Sequence, residues 1–249
     1  MSASRPPYSL FRVVAEGVER ITPHMTRITI DASRLPDLRP GLPARWLKVF
    51  VPAADGQSPA GRAYTVRRFD PVTKKLDLDF VLHGDSGPAS AWAARAAVGD
   101  SFEISAVHPR SGFPIQSSTQ HYLLFGDETA LPAIGSILDT LPAHARAEVF
   151  VEVADDREEQ VFQSAAEVSL TWLHRSGNGD AGPRSLKDAV RMLALPGENT
   201  AIWVAAESSV VKAIRKHALF HWAVDREFLH AAGYWKRGEA DHRDEEGFA

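Results

Sequence analysis

The hydrophobic pattern of the chain changes once along its length, and this change restricts the fold more than any other feature. From Tyr8 to about Val107, short runs that alternate apolar and polar residues are separated by turn-forming residues. Because side chains of a β-strand point alternately to its two faces, these runs predict half-buried antiparallel strands. Several such strands at short spacing predict an antiparallel β-barrel.

The run KLDLDFVLH shows the alternation most clearly, with four apolar residues on one face and Asp77 and Asp79 on the other. One helix interrupts the strands and begins around GPASAWAARA. The predicted barrel strands are YSLFRVVAEGVERI, MTRITID, ARWLKVFVP, GRAYTVRRFD, KLDLDFVLHG and DSFEISAV.

A joint rich in small and bend-forming residues, HPRSGFPIQSSTQ, follows the barrel strands. Beyond it, continuous apolar strands alternate with amphipathic helices, which predicts a parallel sheet covered on both sides. We therefore expect a barrel domain over residues 1–116 and an α/β domain over residues 117–249. The later elements are the strands HYLLFG, AEVFVEV, VSLTWLHR and AIWVAA and the helices DETALPAIGSILDTL, SLKDAVRML and SSVVKAIRKHAL.

Composition excludes several classes of function. The 249 residues are 44% hydrophobic and carry a formal net charge of −4, which argues against general attraction to nucleic acid or anionic lipid. The absence of cysteine excludes disulfides, thiolate metal sites and a cysteine nucleophile. No run approaches the ~18 apolar residues that a membrane span requires, so we expect a soluble, cytoplasmic protein without stable membrane insertion.

Six separated motifs carry a family resemblance: RAYTVR, HGDSGPASAWA, GDETALPAI, WLHR, WVAAESSVVKAIRKHAL and GYWKRG. In this order they resemble the siderophore-interacting proteins, flavin-dependent ferric-siderophore reductases of the ferredoxin-reductase-like superfamily. The resemblance runs from about Phe11 to Gly238. It implies a FAD-binding barrel followed by an NAD(P)-binding-type α/β domain.

The resemblance assigns the motif RAYTVR to FAD. Arg62 would contact phosphate, Tyr64 would lie along the flavin ring, Thr65 would face its reactive edge, and Arg67 would hold phosphate or another part of the dinucleotide. The chemistry is consistent, because a flavin dinucleotide requires a stacking surface, a hydrogen bond and cations together. Strand alternation places Arg62, Tyr64 and Val66 on one face and Ala63, Thr65 and Arg67 on the other. An ordinary strand with arginines beside a half-buried tyrosine is the alternative.

The motif HGDSGPASAWA is expected to supply the second half of the FAD site. Gly87 would permit a tight turn, and the amides around Ala89 and Ser90 would receive the pyrophosphate at a helix start. His83 ends the preceding strand and is assigned to the same site, with Trp92 packing beneath it. A strand-to-helix turn that binds nothing is the alternative.

The α/β domain is expected to bring in the electron donor, NADH or NADPH. The resemblance supports a dinucleotide role for Gly126, Asp127, Thr129 and the turn at Glu207 and Ser208, although helix capping explains the two carboxylates equally well. Superfamily members often carry a cysteine-glycine pair after the later strand, whereas this strand ends in WVAAESS. Ferredoxin is therefore a possible donor as well.

The substrate implied by the resemblance is a ferric siderophore, which the flavin would reduce to Fe(II) so that the metal is released. Because ferric siderophores are commonly anionic, this acidic protein would need local cations, and Lys48, Lys236 and Arg237 are the candidates. Solvated surface cations are the alternative. A siderophore-binding flavoprotein without turnover and a general flavin reductase stay open as other functions.

Two further motifs suggest other chemistry but lack the partners that it needs. GDSG, with Ser86, resembles a serine-protease nucleophile loop, yet no histidine base has a matching context. His217 and His221 in HALFH have helical spacing, but no third metal ligand follows. We expect neither a protease nor a metal site.

Overall fold

The computed structural model describes residues 9–36, 38, 42–52, 61–83, 87–176 and 182–239. The chain divides into two compact units, Met1–Phe113 and Pro114–Ala249. Among the described residues, no helix has the length and apolar character needed to cross a membrane.

The first unit is a closed antiparallel barrel with the strand order β1-β2-β5-β4-β3-β6, closed by pairing of β6 with β1. This confirms the predicted barrel, including the helix that interrupts it. The elements are β1 (Leu10–Thr22), β2 (Met25–Asp31), β3 (Trp46–Phe50), β4 (Arg62–Phe69), β5 (Lys75–Val81), α1 (Pro88–Ala93) and β6 (Ser101–Ser105).

The two faces of β5 follow the sequence alternation. Leu76, Leu78 and Phe80 are completely buried in the barrel core. Asp77 accepts a hydrogen bond from the hydroxyl of Thr29, at 2.7 Å. Asp79 accepts two hydrogen bonds from the Arg27 guanidinium, at 2.7 and 2.8 Å, so a nearly inaccessible carboxylate on the outer wall is neutralised by a bidentate partner.

The second unit contains a five-stranded parallel sheet with the order β11-β10-β7-β8-β9. Helices α3 and α4 pack on one face, and Gly126 of β7 faces Ile134 of α2 on the other, which confirms the predicted covering of both faces. The elements are β7 (His121–Asp127), α2 (Leu131–Thr140), β8 (Arg146–Val153), β9 (Glu167–His174), α3 (Leu186–Met192), β10 (Thr200–Glu207), α4 (Ser208–Phe220) and β11 (Leu229–Trp235).

Two features were missed in the sequence. The segment Leu229–Trp235, which includes the GYW of GYWKRG, forms β11, an edge strand that pairs only with β10 within the described sheet. The first part of the joint, residues 108–113, packs on the barrel unit: the His108 amide donates to the Trp46 carbonyl at 2.9 Å, and the Phe113 amide donates to the Pro43 carbonyl at 2.8 Å.

Candidate functional site

Strand β4 presents residues Arg62 to Val66 of the motif RAYTVR on two alternating faces, as predicted, and a register shift between Val66 and Arg68 interrupts the alternation at Arg67. Its antiparallel partner β3 places Tyr64 opposite Leu47 and Arg62 opposite Val49, and both partners are buried in the barrel core. Thr65 lies opposite Trp46 on the other face. Arg62 and Tyr64 therefore share the inner face of the barrel wall, and Thr65 lies on the outer face.

The Tyr64 ring packs on the barrel core while remaining half-buried. Its centroid lies 4.3 Å from that of Phe80, with the ring planes tilted by 35°. Burial raises the pKa of the Tyr64 phenol above its usual range, although the charge of Arg62 acts in the opposite direction. Tyr64 is therefore a neutral aromatic surface at ordinary pH.

The motif HGDSGPASAWA folds back on itself through His83, Gly87 and Ser90. The His83 amide donates to the Ser90 hydroxyl at 2.9 Å, and Ser90 is almost fully buried. The chain bends at Gly87, but φ −139° and ψ 133° are an extended conformation open to any residue, so the bend itself does not require glycine. A Cβ at Gly87 would lie 2.9 Å from Cε1 of His83, so a side chain there would require the His83 ring to shift.

Aromatic packing joins the two motifs. Phe80 of β5 lies between Tyr64 of β4 and Trp92 of α1, with centroid distances of 4.3 Å and 6.0 Å. Trp92 and Ala89 are both buried in the barrel core. The structure therefore brings the RAYTVR strand and the helix start at Gly87 to the same part of the barrel unit.

The donor set of this region suits an anionic aromatic cofactor. Strands β3 and β4 and helix α1 carry Lys48, Arg62, Arg67 and Arg68 and contain no aspartate or glutamate, although the whole chain is acidic. Lys48 Nζ donates to the carbonyl of Gly61, at 3.3 Å, so its ammonium lies at the start of β4. The N-cap residue of α1 is Gly87, which has no side chain to compete for the first-turn amides. The arginines of β4 and the first-turn amides of α1 fit FAD.

One feature of the outer face was missed in the sequence. The rings of Trp46 and His108 stack at 4.2 Å with an interplanar angle of 13°, beside Thr65 across the β3–β4 pair. The Ser111 hydroxyl donates to the His108 carbonyl at 2.6 Å and accepts from the Trp46 amide at 3.3 Å. The cluster His-Pro-Arg-Ser directly after β6 was the available indication, and it was assigned to the joint between domains.

In the second unit, Asp127 is the most constrained of the predicted residues. Its Oδ1 accepts from the amide and the hydroxyl of Thr129, at 2.9 and 2.5 Å. Its Oδ2 accepts from the Glu207 amide at 3.0 Å and from the Trp235 indole at 2.7 Å. Burial and the neighbouring Glu128 charge raise the pKa of Asp127 to about 6, although the Thr129 and Trp235 donors act in the opposite direction.

Glu207 caps helix α4 with its own carboxylate. Oε2 accepts from the amides of Ser209 and Val210, at 2.7 and 3.3 Å. Burial acts in the opposite direction, but the Ser209 hydroxyl and the surrounding amides hold the pKa of Glu207 below its usual range. The capping interpretation thus describes both carboxylates, while the dinucleotide role of Asp127, Thr129 and Glu207 stays a prediction.

The remaining predicted residues lie in different parts of the second unit. Lys236 forms an ion pair with Glu239 across a turn in which Gly238 has φ 81°, and Arg237 is exposed with its amide 3.4 Å from Glu207 Oε1. The rings of His217 and His221 stack at 4.8 Å. No group of three metal-ligating side chains occurs in the described part of the chain, and Ser86 lies outside the described residues.

A closed antiparallel barrel followed by a parallel α/β unit defines a protein of the ferredoxin-reductase-like fold. Ferredoxin reductase in carbazole 1,9a-dioxygenase has this fold, with a TM-score of 0.72 over 92% of this chain and 70% of that chain. At 16% identity this likeness shows the fold alone.

Comparison with known sequences narrows the class to one family. The family described as siderophore-interacting protein matches residues 119–238, and the siderophore-interacting FAD-binding domain matches residues 53–111. The chain is 34% identical to the ferric vibriobactin reductase of Vibrio cholerae, covering 75% of this chain and 69% of that protein. The chain belongs to the siderophore-interacting protein family, and the predicted membership is confirmed.

Two further relatives agree. The ferric acinetobactin reductase of Acinetobacter baumannii is 29% identical over 87% of this chain and 76% of that protein. The crystal structure of a siderophore utilization protein from T. fusca superposes with a TM-score of 0.82, at 30% identity, over 97% of this chain and 98% of that chain.

Proposed function

We propose that the protein is a FAD-dependent ferric-siderophore reductase, which reduces chelated Fe(III) to Fe(II) in the cytoplasm. The observation that carries the proposal is the barrel region of β3, β4 and α1, which presents cations and aromatic rings without a carboxylate. Similarity to the ferric vibriobactin and ferric acinetobactin reductases supports the ferric chelate as substrate.

The residues of the barrel unit would bind and orient FAD, and we assign this role to residues 1–116. Arg62 and Arg67 provide cations for phosphate, Tyr64 provides a neutral ring for stacking, and Thr65 provides a hydroxyl toward the reactive edge. His83, Gly87, Ala89 and Ser90 shape the adjoining strand-to-helix connection. When bound, FAD accepts a hydride or single electrons and passes single electrons to iron.

Residues 117–249 are assigned to the electron donor. If the donor is NADH or NADPH, one hydride carries two electrons, so two Fe(III) chelates are reduced and one proton is released for each nicotinamide oxidised. A ferredoxin would supply its electrons singly. Because iron receives only electrons and forms no covalent bond with the protein, the residues of the protein need only bind and orient the reactants and exclude competing acceptors.

The geometry of the second unit disfavours a pyrophosphate at two helix starts. Asp127 accepts from the Thr129 amide and Glu207 accepts from the Ser209 amide, so a carboxylate already occupies each position. These positions follow β7 and β10, the neighbouring strands where the sheet order reverses and where ligands bind in open α/β sheets. A dianionic pyrophosphate would meet negative charge there, which supports ferredoxin as the physiological donor or weak binding of NADH and NADPH.

Capture of the ferric chelate is assigned to Lys48, Lys236 and Arg237. A ferric chelate of net negative charge is attracted by local cations even when the whole protein is acidic. Lys236 is partly neutralised by Glu239, whereas Arg237 is exposed.

The function is tested on purified protein under anaerobic conditions. We expect a yellow protein whose visible flavin absorbance bleaches with reduced ferredoxin, NADH or NADPH and returns when a ferric chelate is added, with Fe(II) trapped by ferrozine. Colourless protein that does not bind added FAD would reject the proposal. Free flavin that is reduced faster than the ferric chelate would instead identify a general flavin reductase, and chelate binding without Fe(II) would identify a binding protein.

A further inference from the structure

The Asp127 carboxylate connects three strand ends at the carboxyl edge of the sheet. It ends β7, accepts from the Glu207 amide at the end of β10, and accepts from the Trp235 indole at the end of β11. Strand β11 lies at the sheet edge, and every residue from Leu229 to Trp235 is only partly buried. The last residue of this edge strand is therefore fixed by a side-chain hydrogen bond in addition to its pairing with β10.

A second link runs from Asp127 to the residues beyond β11. The Arg237 amide lies 3.4 Å from Glu207 Oε1, and the Glu207 amide itself donates to Asp127. The segment 235–237 is thus held at its first residue by Asp127 directly and at its last residue through Glu207. Lys236 lies between these two points and pairs with Glu239 across the turn.

Helix capping alone does not account for a carboxylate in this position. The 3₁₀ turn at Glu128–Ala130 requires an acceptor for the Thr129 amide, which a neutral side chain also supplies. Asp127 is only 4% exposed, and an ionised carboxylate at that depth is unfavourable unless its donors are retained. The donors unrelated to the cap are the Trp235 indole and the Glu207 amide, and both lead to the segment 235–237.

We propose that Asp127 is a positioning residue for the ferric-chelate site: it fixes the Trp235 indole and the Glu207 amide, and thereby sets the direction in which Lys236 and Arg237 meet the anionic chelate. This inference rests on the proposed reductase function. It assigns to Asp127 a substrate-side role in place of the dinucleotide contact expected from the sequence.

Protonation of Asp127 provides a readout of this role. The charged groups around it are Glu128 beside it in the chain, Glu152 opposite it on β8, Arg175 after β9, Glu207 on β10 and Arg237 after β11. Burial and Glu128 raise the pKa of Asp127 to about 6, so the carboxylate gains a proton as pH falls through this value. A protonated carboxyl has fewer acceptor sites for the same four donors, so the hydrogen bond from the Trp235 indole to Asp127 weakens.

The test uses Trp235→Phe, which removes the indole N–H and retains an aromatic ring, and Asp127→Asn. The matched control is Trp172→Phe, since Trp172 is a half-buried tryptophan on β9, the opposite edge strand of the same sheet. FAD of each holoprotein is photoreduced, and its reoxidation by the anionic iron(III) complex of 2,3-dihydroxybenzoate is followed by stopped-flow absorbance. Neutral iron(III) tris(acetohydroxamate) serves as the uncharged acceptor.

For Trp235→Phe we expect the half-saturating concentration of the anionic chelate to rise about tenfold, as for loss of one charge-assisted hydrogen bond. The limiting rate, the FAD content and the response to the neutral chelate should remain those of the Trp172→Phe control. In the parent, half-saturation should also rise as pH falls through about 6, and this pH dependence should be absent in Trp235→Phe and Asp127→Asn. Identical half-saturation in Trp235→Phe and Trp172→Phe would overturn the proposal.

A second measurement separates the inference from the function on which it rests. In protein labelled with ¹⁵N-tryptophan, the indole signal lost in Trp235→Phe should titrate with a midpoint near pH 6 in the parent and not in Asp127→Asn. An indole signal that is independent of pH would refute the coupling whatever the activity. If the parent reduces neither chelate, the reductase function fails; if the parent is active and the variants match the control, only the positioning role fails.

Discussion

Asp127 affects the stability of the protein as well as its site. Its pKa is raised from 3.8 to about 6, chiefly by burial. A carboxyl with a folded-state pKa above its unfolded value holds its proton more tightly in the folded state, so the free energy of unfolding falls as pH rises between these two values. A difference of this size corresponds to about 3 kcal/mol.

We therefore expect Asp127→Asn to alter the slope of stability against pH. The unfolding free energy of the variant minus that of the parent should increase by about 3 kcal/mol between about pH 4 and about pH 7, because asparagine does not ionise. Urea denaturation followed by circular dichroism at each pH measures this difference. Asp225→Asn, at an exposed position in the same unit, serves as the control; parallel stability curves for parent and Asp127→Asn would contradict the assignment.

Gly126 is constrained by packing against α2. A Cβ at this position would lie 2.5 Å from the Cβ of Ala130 and 2.8 Å from Cδ1 of Ile134, with the Ala205 carbonyl at 3.3 Å. The sequence suggested a dinucleotide contact for Gly126, but this close approach of strand and helix is sufficient to require glycine. The position is therefore a packing contact in the second unit.

Gly126→Ala should lower the free energy of unfolding by about 1–3 kcal/mol, as is usual for overpacking of a rigid core. Gly197→Ala is the matched control, because nothing lies within 4 Å of a Cβ at Gly197 in the same unit. Equal urea midpoints for the two variants would show that α2 moves away without loss of stability.

At the scale of elements, a substitution between β5 and α1 should affect FAD binding without affecting the stability of the fold. A Cβ at Gly87 would meet the end of the His83 ring, at 2.9 Å from Cε1, and this exposed side chain can rotate away. We expect Gly87→Ala to change stability by less than ~1 kcal/mol, but to weaken FAD binding because His83 loses its position.

FAD binding to the apoprotein, followed by flavin fluorescence, measures the effect. His83→Ala should weaken binding similarly, and the double variant should be no weaker than His83→Ala alone, because both changes act through the same ring. Additive losses in the double variant would show that Gly87 contributes to FAD binding independently of His83.

The sequence predicts an element when hydrophobic periodicity determines it. Strand β5 alternates buried leucines with aspartates, and β10 is buried almost throughout, so both were predicted. Strand β11 has neither pattern: its sequence LHAAGYW is half-buried throughout, because an edge strand pairs on one side only. Periodicity consequently did not identify it.

Contacts between distant residues were harder to predict. The motif RAYTVR gave the faces of β4 correctly from Arg62 to Val66, because alternation is local, whereas a register shift between Val66 and Arg68 interrupts the alternation at Arg67. Trp46 stacks on His108, which is 62 positions away in the chain. Asp127 accepts a hydrogen bond from Trp235, which is 108 positions away. The approach of the His83 ring to Gly87 is local, at a separation of four positions, but hydrophobic periodicity does not report it.

For the whole molecule, charge is distributed so that an acidic protein retains local cationic sites. The net charge is −4, yet β3, β4 and α1 contain only basic charged residues. Long-range attraction of an anionic chelate is consequently weak, and binding should depend on close contacts. Of the two predicted lysines, Lys48 lies in the first unit and Lys236 in the second.

The double variant Lys48→Ala with Lys236→Ala tests this distribution. We expect the KM for an anionic ferric chelate to rise about tenfold, since loss of charge-assisted contacts is worth on the order of 1.5 kcal/mol or more, while bound FAD is retained. Lys74→Ala with Lys212→Ala, which removes one exposed lysine from each unit, is the control for net charge. Because salt screens the attraction between exposed charges, the KM of the parent should approach that of the double variant as ionic strength increases. A difference in KM that is equal at every salt concentration would show that the lysines act through structure alone.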